Sequence, residues 1–412
     1  MSDSNASAGS APARIVLGVG GGIAAYKIAD ALRKFVEAGH DVVVVPTESA
    51  LKFVGAPTWA ALSHNPVATD VWSHAEDVPH VRIGREADIV VVAPATADLL
   101  AKAANGLADD LLTNTLLTAR CPVLFVPAMH TEMWEHPATV ANVATLRQRG
   151  ATVLEPASGR LTGADTGKGR MPEPLEIVRT AQLLLTRADA LPLDLVGRSV
   201  LISAGGTREP LDPVRFLGNA SSGKQGYALA AVAAARGAAR VTLVAANVEL
   251  PTPAGVEVIR VGTAAQLHDA VLKAAVSADV VVMAAAVADF RPINAGAFKI
   301  KKSGDEPAPV VLEKNADVLA ELVATRRPGQ LLVGFAAETG DEQGDVLHHG
   351  RQKLARKRCD LLVVNAVGAD KAFGRDDNAG VILGADGSER TIDPGPKNLF
   401  AAAVWDAVAD LW

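Results

Sequence analysis

The sequence predicts an α/β protein of two doubly wound domains in tandem, each built on a parallel sheet. Three observations carry that expectation. Short apolar runs alternate with helix-forming stretches through both halves. Each half opens on the same unit, an apolar strand followed by a glycine-rich loop and a helix. Hydrophobic residues make up 49% of the chain but aromatics only 4%, so Ala, Val and Leu must fill the cores, as in parallel sheets covered by helices. At 412 residues the chain is also too long for one ordinary core.

The first thirteen residues are rich in Ser, Ala and Gly and lack a basic stretch followed by an apolar one, so 1–13 reads as a disordered tail rather than a signal peptide. Arg14–Val19 reads as a strand, Gly20–Gly22 as its loop, and a helix runs to about Ala38. Asp41–Val45, Asp88–Ala93 and Val123–Val126 follow as strands. Leu154–Pro174, rich in Gly and Pro, reads as a long loop before a helix over Leu175–Arg187. The first domain therefore spans 14–189, and Ala190–Asp194, with Pro192, forms a linker to a second domain over 195–412. There the series restarts with strands at Ser199–Ser203, Arg240–Ala245, Val256–Val261, Asp279–Ala284, Leu331–Gly334 and Leu361–Val364. Helices are expected at Gly226–Arg236 and Leu267–Ala275.

Composition excludes several function classes. A net charge of −6 gives no support for non-specific nucleic-acid binding, though local basic pockets for phosphates remain open. Two cysteines, Cys121 and Cys359, cannot build a disulfide framework and point to a reducing cytoplasm. No apolar run reaches membrane-spanning length, so no membrane partner is expected.

Gly20–Gly22 with Ile23, Ala24 and Ala25 fits the loose G-x-G-x-x-A pattern, which a generic nucleotide-binding turn also satisfies. Thr47 and Ser49 at the next strand end suit a phosphate monoester, while Glu48 leaves a ribose contact open. The ordered set decides: Gly21 to Lys27, then Ala93-Pro94-Ala95-Thr96-Ala97-Asp98, then Pro127-Ala128-Met129-His130-Thr131-Glu132-Met133-Trp134. Over residues 14–187 the chain resembles the homo-oligomeric flavin-containing cysteine decarboxylases, in particular the phosphopantothenoylcysteine decarboxylases, which are flavodoxin-like. The resemblance implies FMN held by Gly20, Gly21, Gly22, Thr47, Ala95, Thr96, Ala128 and Met129, with protomers forming trimers. It also implies that FMN carries the difficult step, oxidising the thiol carbon so that CO2 can leave. His80, in Val78-Pro79-His80-Val81, matches the family's histidine and would orient the carboxylate or move the thiol proton; position alone favours a surface or capping histidine, and the motif agreement reverses that.

Two departures stand out. His130 takes the place of the family's usual Asn, which holds the substrate carboxylate. The substrate flap, with Gly163, Asp165, Arg170 and Met171, lacks the usual Cys, leaving water, Thr162 or His130 as the proton donor. Cys121, at a strand start, reads as a buried structural thiol.

In the second half Val200-Leu201-Ile202 runs into a long polar loop through Gly226, and a helix follows, a unit that aims N–H groups at an anion. Gly218 to Gln225 nearly satisfies a P-loop but has Gln225 where a Ser or Thr would bind Mg2+, and Phe216-Leu217 is a poor strand. The segment from Ser203 to Gly226 is similar, almost without change, to the opening of the phosphopantothenate–cysteine ligases, and the resemblance covers 195–412. It implies a Rossmann-like ligase domain, dimeric, that uses CTP and Mg2+ to activate 4′-phosphopantothenate as an acyl-CMP for attack by cysteine. Asn219, otherwise a turn residue, matches the group that stabilises the acyl-nucleotide. Lys299, in the basic run to Lys302, matches a phosphate contact, and the run reads otherwise as a solvated patch. Met283, Ala284, Ala285, Asp289, Ala316, Asp317, Val318, Leu319 and Phe335 match the nucleotide pocket. Lys353 and Lys357, four apart on an expected helix, share a face and join it.

Together the two resemblances imply two consecutive steps of coenzyme A biosynthesis: ligation of 4′-phosphopantothenate to cysteine, then decarboxylation of 4′-phosphopantothenoylcysteine to 4′-phosphopantetheine. Trimeric flavin domains and dimeric ligase domains on one chain would close into a dodecamer. A ligase whose flavin half has degenerated into a binding or structural module is the second reading. The metal ligands stay unassigned.

Overall fold

The computed structural model describes residues 12–69, 78–161, 165–301, 309–338, 345–366 and 376–412. They divide into two units, residues 1–193 with 253–255, and residues 194–252 with 256–412.

The first unit opens with β1 (Arg14–Val19), α1 (Ala25–Glu37), β2 (Asp41–Pro46), α2 (Glu48–Leu51), α3 (Ala56–Ser63) and α4 (Pro79–Glu86). It continues with β3 (Ile89–Ala95), α5 (Ala97–Asn105), α6 (Leu111–Thr118), β4 (Val123–Pro127), α7 (Thr131–Trp134), α8 (Pro137–Gln148) and β5 (Thr152–Val153). β6 (Ala157–Arg160), β7 (Thr166–Arg170) and α9 (Pro174–Thr186) complete it. The main sheet has the order β2-β1-β3-β4-β5 and is parallel throughout, the flavodoxin-like arrangement. Every residue of β3 is buried, which explains why its sequence is continuously apolar rather than alternating. The crevice where connections reverse lies between β1 and β3, so the loops after those strands face any bound ligand.

The segment expected to be a long loop is corrected. β6 and β7 pair as an antiparallel hairpin. Its glycines hide the strand signal and serve close packing instead: a Cβ on Gly169 would lie 2.1 Å from the Met129 carbonyl oxygen. Ala190 and Leu191 of the expected linker are buried.

The second unit contains β8 (Ser199–Gly205), β9 (Arg208–Pro210), β10 (Phe216–Gly218), α10 (Lys224–Ala235), β11 (Arg240–Ala246), β12 (Val256–Val261), α11 (Ala264–Ala275) and β13 (Val280–Met283). It then has β14 (Phe290–Pro292), β15 (Leu312–Lys314), α12 (Val318–Thr325), β16 (Leu331–Glu338), α13 (Val346–Lys357), β17 (Leu361–Ala366), β18 (Asp377–Gly384), β19 (Glu389–Pro396) and α14 (Lys397–Ala409). The sheet order β12-β11-β8-β13-β16-β17-β18-β19 is Rossmann-like from β12 to β17, where all pairs are parallel.

Here the expectation of a parallel sheet is corrected, because β18 and β19 add an antiparallel edge. Adjacent strands joined by a short turn can pair only antiparallel. Phe216 and Leu217, judged a poor strand, do pair in β10 against β9, but outside the main sheet. Helix α14 packs on α10 with Trp405 Nε1 donating to the Leu229 carbonyl at 3.0 Å. Arg236, only 1% exposed, donates to Asp406 at 2.8 Å, to the Ala402 carbonyl at 3.1 Å, and to Asp194, so the unit's first residue is tied to its last helix.

Candidate functional site

In the first unit the expected cofactor residues all sit at carboxyl ends of strands. Gly20 follows β1, and its N–H donates to the Pro94 carbonyl at 3.1 Å. A Cβ on Gly20 would lie 2.3 Å from that oxygen, and one on Gly21 would lie 2.3 Å from Ser49 Cβ, so only glycine lets these strand ends close on one another. Gly22 has more room, its Cβ position meeting Pro94 at 3.7 Å. Helix α1 begins with no side-chain cap and no acidic residue in its first turn, which leaves its positive end open to an anion. Thr47 and Thr96 cap α2 and α5, accepting from Ala50 N at 3.2 Å and Leu99 N at 3.3 Å. Each hydroxyl keeps its own proton to donate. Ala128 N donates to the Ala95 carbonyl at 3.2 Å, and Met129 N donates to the Gly169 carbonyl at 3.0 Å, which pins the β4 loop to the β6–β7 hairpin.

His80 lies in the first turn of α4 behind Val78, whose φ of 44° is left-handed. The turn is held by Thr118 Oγ1 donating to the His80 carbonyl at 2.8 Å. The ring's Nδ1 is buried with no hydrogen-bond partner among the described residues, and so is Thr131 Oγ1. Water or a ligand can satisfy such atoms. His130 precedes α7 and makes no side-chain capping bond, so its ring is not spent on the backbone. Of the flap, Arg170 pairs with Glu173, Met171 is buried and Asp165 is exposed. Gly163 and Thr162 lie outside the described residues. Cys121 is half-buried rather than buried; desolvation raises its thiol pKa, and it begins the strand at the end remote from these loops.

In the second unit the loops after β8 and β13 interlock. Ser203 Oγ accepts from Ala285 N at 3.1 Å, Ala286 N donates to the Gly205 carbonyl at 2.7 Å, and Ala288 N donates to Thr207 Oγ1 at 2.9 Å. These bonds place Met283, Ala284 and Ala285 at the strand end. The Met283 side chain is buried in the core, as is that of Val318, and Leu319 packs against it, so those three can meet a nucleotide only through backbone. Asn219 follows β10, and its Nδ2 donates to the Val287 carbonyl at 3.0 Å. α10 follows Gly223, whose φ is 72°; Lys224 N meets Ser222 Oγ at 3.5 Å, and the next N–H groups of the first turn are left to face an anion.

Asp289 is exposed, and its carbonyl accepts from Asn315 N at 2.9 Å beside exposed Ala316. Asp317 caps α12, accepting from Ala320 N at 3.1 Å, and also pairs with Lys357. Burial, the largest single influence, would raise the Asp317 pKa, but the hydrogen bonds from Lys357 and Ala320 N together with the Lys357 and Arg356 charges lower it overall. Two expected pocket residues thus hold each other. Lys353 lies one turn earlier on α13, and half-buried Phe335 sits in β16. Lys299 is exposed in a segment without regular secondary structure.

Asp212 and Arg215, which sequence reasoning left without a role, join the loop between β9 and β10 to the segment bearing Lys299. Arg215 Nη2 donates to the Ile300 carbonyl at 3.1 Å. The signal was available locally: Asp212-Pro213 is a favoured turn opening, with the carboxylate bonding the N–H two residues on. A cavity of about 520 Å³ lies elsewhere, at the amino ends of the strands, lined by Arg326, Arg351, Arg358, Asp360 and Glu389. Arg326 and Arg351 there are already paired with Asp360 and Glu389.

Comparisons with known proteins bear on both units. A family model described as "Flavoprotein" matches residues 3–185, and one described as "DNA/pantothenate metabolism flavoprotein C-terminal domain" matches 195–411. The chain is 64% identical over 406 residues to the "Coenzyme A biosynthesis bifunctional protein CoaBC" of Mycolicibacterium smegmatis, covering 97% of this chain and 98% of the relative. It is 44% identical over 382 residues to the protein of the same name from Bacillus subtilis, covering 92% of each. A crystal structure of the C-terminal domain of a CoaBC protein is 33% identical, with a TM-score of 0.45, covering 53% of this chain and 97% of that one.

Proposed function

The chain belongs to the family of bifunctional coenzyme A biosynthesis proteins, and we propose that it joins 4′-phosphopantothenate to cysteine and then decarboxylates the product to 4′-phosphopantetheine. The observation that carries this is the presence, on one chain, of two strand-end sites that each open a helix N-terminus to an anion. The flavin half would span 14–189 and the ligase half 195–412, with 190–194 joining them. Two free cysteines favour a cytoplasmic setting.

FMN fits the first site on two grounds. Gly20 and Gly21 form a cradle that any Cβ would fill, and the open end of α1 with the Thr47 and Thr96 hydroxyls offers donors for a phosphate. When bound, FMN supplies the oxidation at the thiol carbon that lets the carboxylate leave. Gly20, Gly21 and Gly22 admit it, and Ala95, Ala128 and Met129 line it with backbone. His80 would meet the substrate with its unsatisfied Nδ1 and move the thiol proton. His130 would hold the carboxylate and, in the absence of a flap cysteine, would be available to return a proton. Arg170 and Met171, with Gly163 and Asp165, would cover the substrate.

In the ligase half, the carboxylate of 4′-phosphopantothenate attacks the α-phosphorus of CTP, expelling pyrophosphate and leaving an acyl-CMP. The cysteine amine then attacks the acyl carbon, and CMP departs. Asn219 would donate to the developing oxyanion. Lys299 would neutralise the triphosphate, and backbone of Met283, Ala284, Ala285, Ala316, Val318 and Leu319 would line the nucleotide with Phe335, Asp289, Asp317, Lys353 and Lys357. Mg2+ would share the charge of the triphosphate with Lys299.

The exposed Ile23 and Tyr26 beside the first site, and Val214, Phe216 and Phe298 in the second unit, are apolar surface that association would cover, and the family resemblance assigns trimers to the flavin halves and dimers to the ligase halves, giving a dodecamer. A monomer in light scattering overturns that assembly. The central test is mass spectrometry of products from 4′-phosphopantothenate, cysteine, CTP, Mg2+ and FMN. Accumulation of 4′-phosphopantetheine is expected. Accumulation of 4′-phosphopantothenoylcysteine alone would mean a ligase with a silent flavin half, and no product would overturn the proposal.

A further inference from the structure

The loop between β9 and β10 turns around Asp212, whose side chain is 0% exposed. Its Oδ1 accepts from the N–H groups of Val214 and Arg215, each at 2.8 Å. Its Oδ2 accepts from Arg215 Nε at 3.0 Å and Nη2 at 2.6 Å, and from the N–H of Ile300 at 3.1 Å. The bonds to residues 214 and 215 are local, as in any Asp-led turn. The bond to Ile300 spans 88 residues and joins two arms that no strand pairing connects among the described residues. Gly296 N donating to the Leu211 carbonyl at 2.9 Å and Arg215 Nη2 donating to the Ile300 carbonyl reinforce the same seam.

Both arms lie outside the main sheet, and they carry exposed side chains such as Phe216 and Phe298 rather than core. A carboxylate enclosed there does not serve the hydrophobic core. It does govern what the arms carry. β10 runs directly into Asn219, and Ile300 sits between Lys299 and Lys301. The Arg215 guanidinium holds the Asp212 carboxyl well below the usual carboxylate range, so it stays ionised at neutral pH.

We propose that Asp212 is a positioning residue for ligation: it latches the segment bearing Lys299 to the hairpin that leads into Asn219, and so fixes the ammonium against the amide. The proposal rests on the roles given above to Asn219 and Lys299. An ammonium on a free loop would have to be ordered at each turnover, and the latch removes that cost before the triphosphate arrives.

The test uses the full chain, with Asp212→Asn, Lys299→Gln, the double variant, and Ile300→Pro, which deletes the donor from the other arm. Pyrophosphate release from CTP, dependent on 4′-phosphopantothenate, reads the activation step. Decarboxylation of supplied 4′-phosphopantothenoylcysteine serves as an internal control. Asp212→Asn is expected to lower kcat/KM for CTP about 10²-fold while leaving KM for cysteine and decarboxylation unchanged. Ile300→Pro should reproduce the loss, and Asp212→Asn should cost little more once Lys299 is already Gln. Full activity of Asp212→Asn beside an impaired Lys299→Gln overturns the latch, as do losses that simply multiply in the double variant. Full activity of Lys299→Gln instead overturns the role of Lys299. Should Asp212→Asn fail to fold, Ile300→Pro decides by the same readouts.

Discussion

The two units solve the same problem with different mechanics. In the first, the candidate residues are the strand ends themselves. Gly20 N bonds the Pro94 carbonyl and Ala128 N the Ala95 carbonyl, tying the ends of β1, β3 and β4 together, and Thr47 and Thr96 are oriented by capping the helices that follow. In the second, only Met283 to Ala285 hold such positions, while Asn219, Asp289 and Lys299 ride on hairpins and loops outside the sheet. Rigid strand ends suit a cofactor that stays through many turnovers. Outlying arms suit substrates that must enter and leave at every cycle.

The contrast can be broken most forcefully at the reacting groups. His80→Asn should lower CO2 release by roughly 10²–10⁴-fold, the range of general acid–base catalysis, while the ligase rate measured on the same protein stays unchanged. Unchanged CO2 release would remove His80 from the chemistry. Asn219→Ala should slow pyrophosphate release about 10²–10³-fold, the cost of one oxyanion donor. Because Nδ2 already bonds the Val287 carbonyl, part of that loss should appear as a looser loop, read by faster proteolysis near residue 219.

Rigidity itself is tested by Gly20→Ala. Its new Cβ would meet the Pro94 oxygen at 2.3 Å, so flavin absorbance should be lost and the first unit destabilised by about 1–3 kcal/mol, with pyrophosphate release retained. The same insertion at Gly106, where nothing lies within 4 Å, should leave flavin binding intact apart from the strain of a φ of 69°.

The smallest effect is expected from pH. Burial raises the Glu176 carboxyl to about 7, and its Oε1 accepts from Ala254 N at 3.0 Å. The folded state therefore holds this proton more tightly than the unfolded chain, whose carboxyl titrates near its ordinary value of 4.5. Its contribution is present in full below pH 4.5 and is lost as pH rises through about 7. Allowing for partial exposure, the loss should be about 1 kcal/mol, seen as a falling melting temperature that Glu176→Gln abolishes.

Much of this architecture was legible in chain order. Continuous Val-rich runs marked β2, β3 and β13, and glycines after β1 and β8 marked the loops that close on ligands, because burial and close backbone approach leave local signatures. Where pairing is long-range or the residues are poor strand formers, that signature failed. The β6–β7 hairpin is written in Gly, Ser and Arg, β10 gains its partner only from the turn at Asp212, and β18 with β19 pairs antiparallel at an edge beyond the repeating pattern.

The candidate site divides in the same way. Motif order named the strand-end residues, but only folding could show that Met283 and Val318 point into the core, that Lys357 is held by Asp317, and that His80 Nδ1 has no partner. Only folding could bring Ile300 to Asp212 across 88 residues. Periodicity and turn chemistry act between near neighbours and are carried by the residues themselves. Which buried donor meets which acceptor is decided when distant segments pack, and no local spacing encodes it.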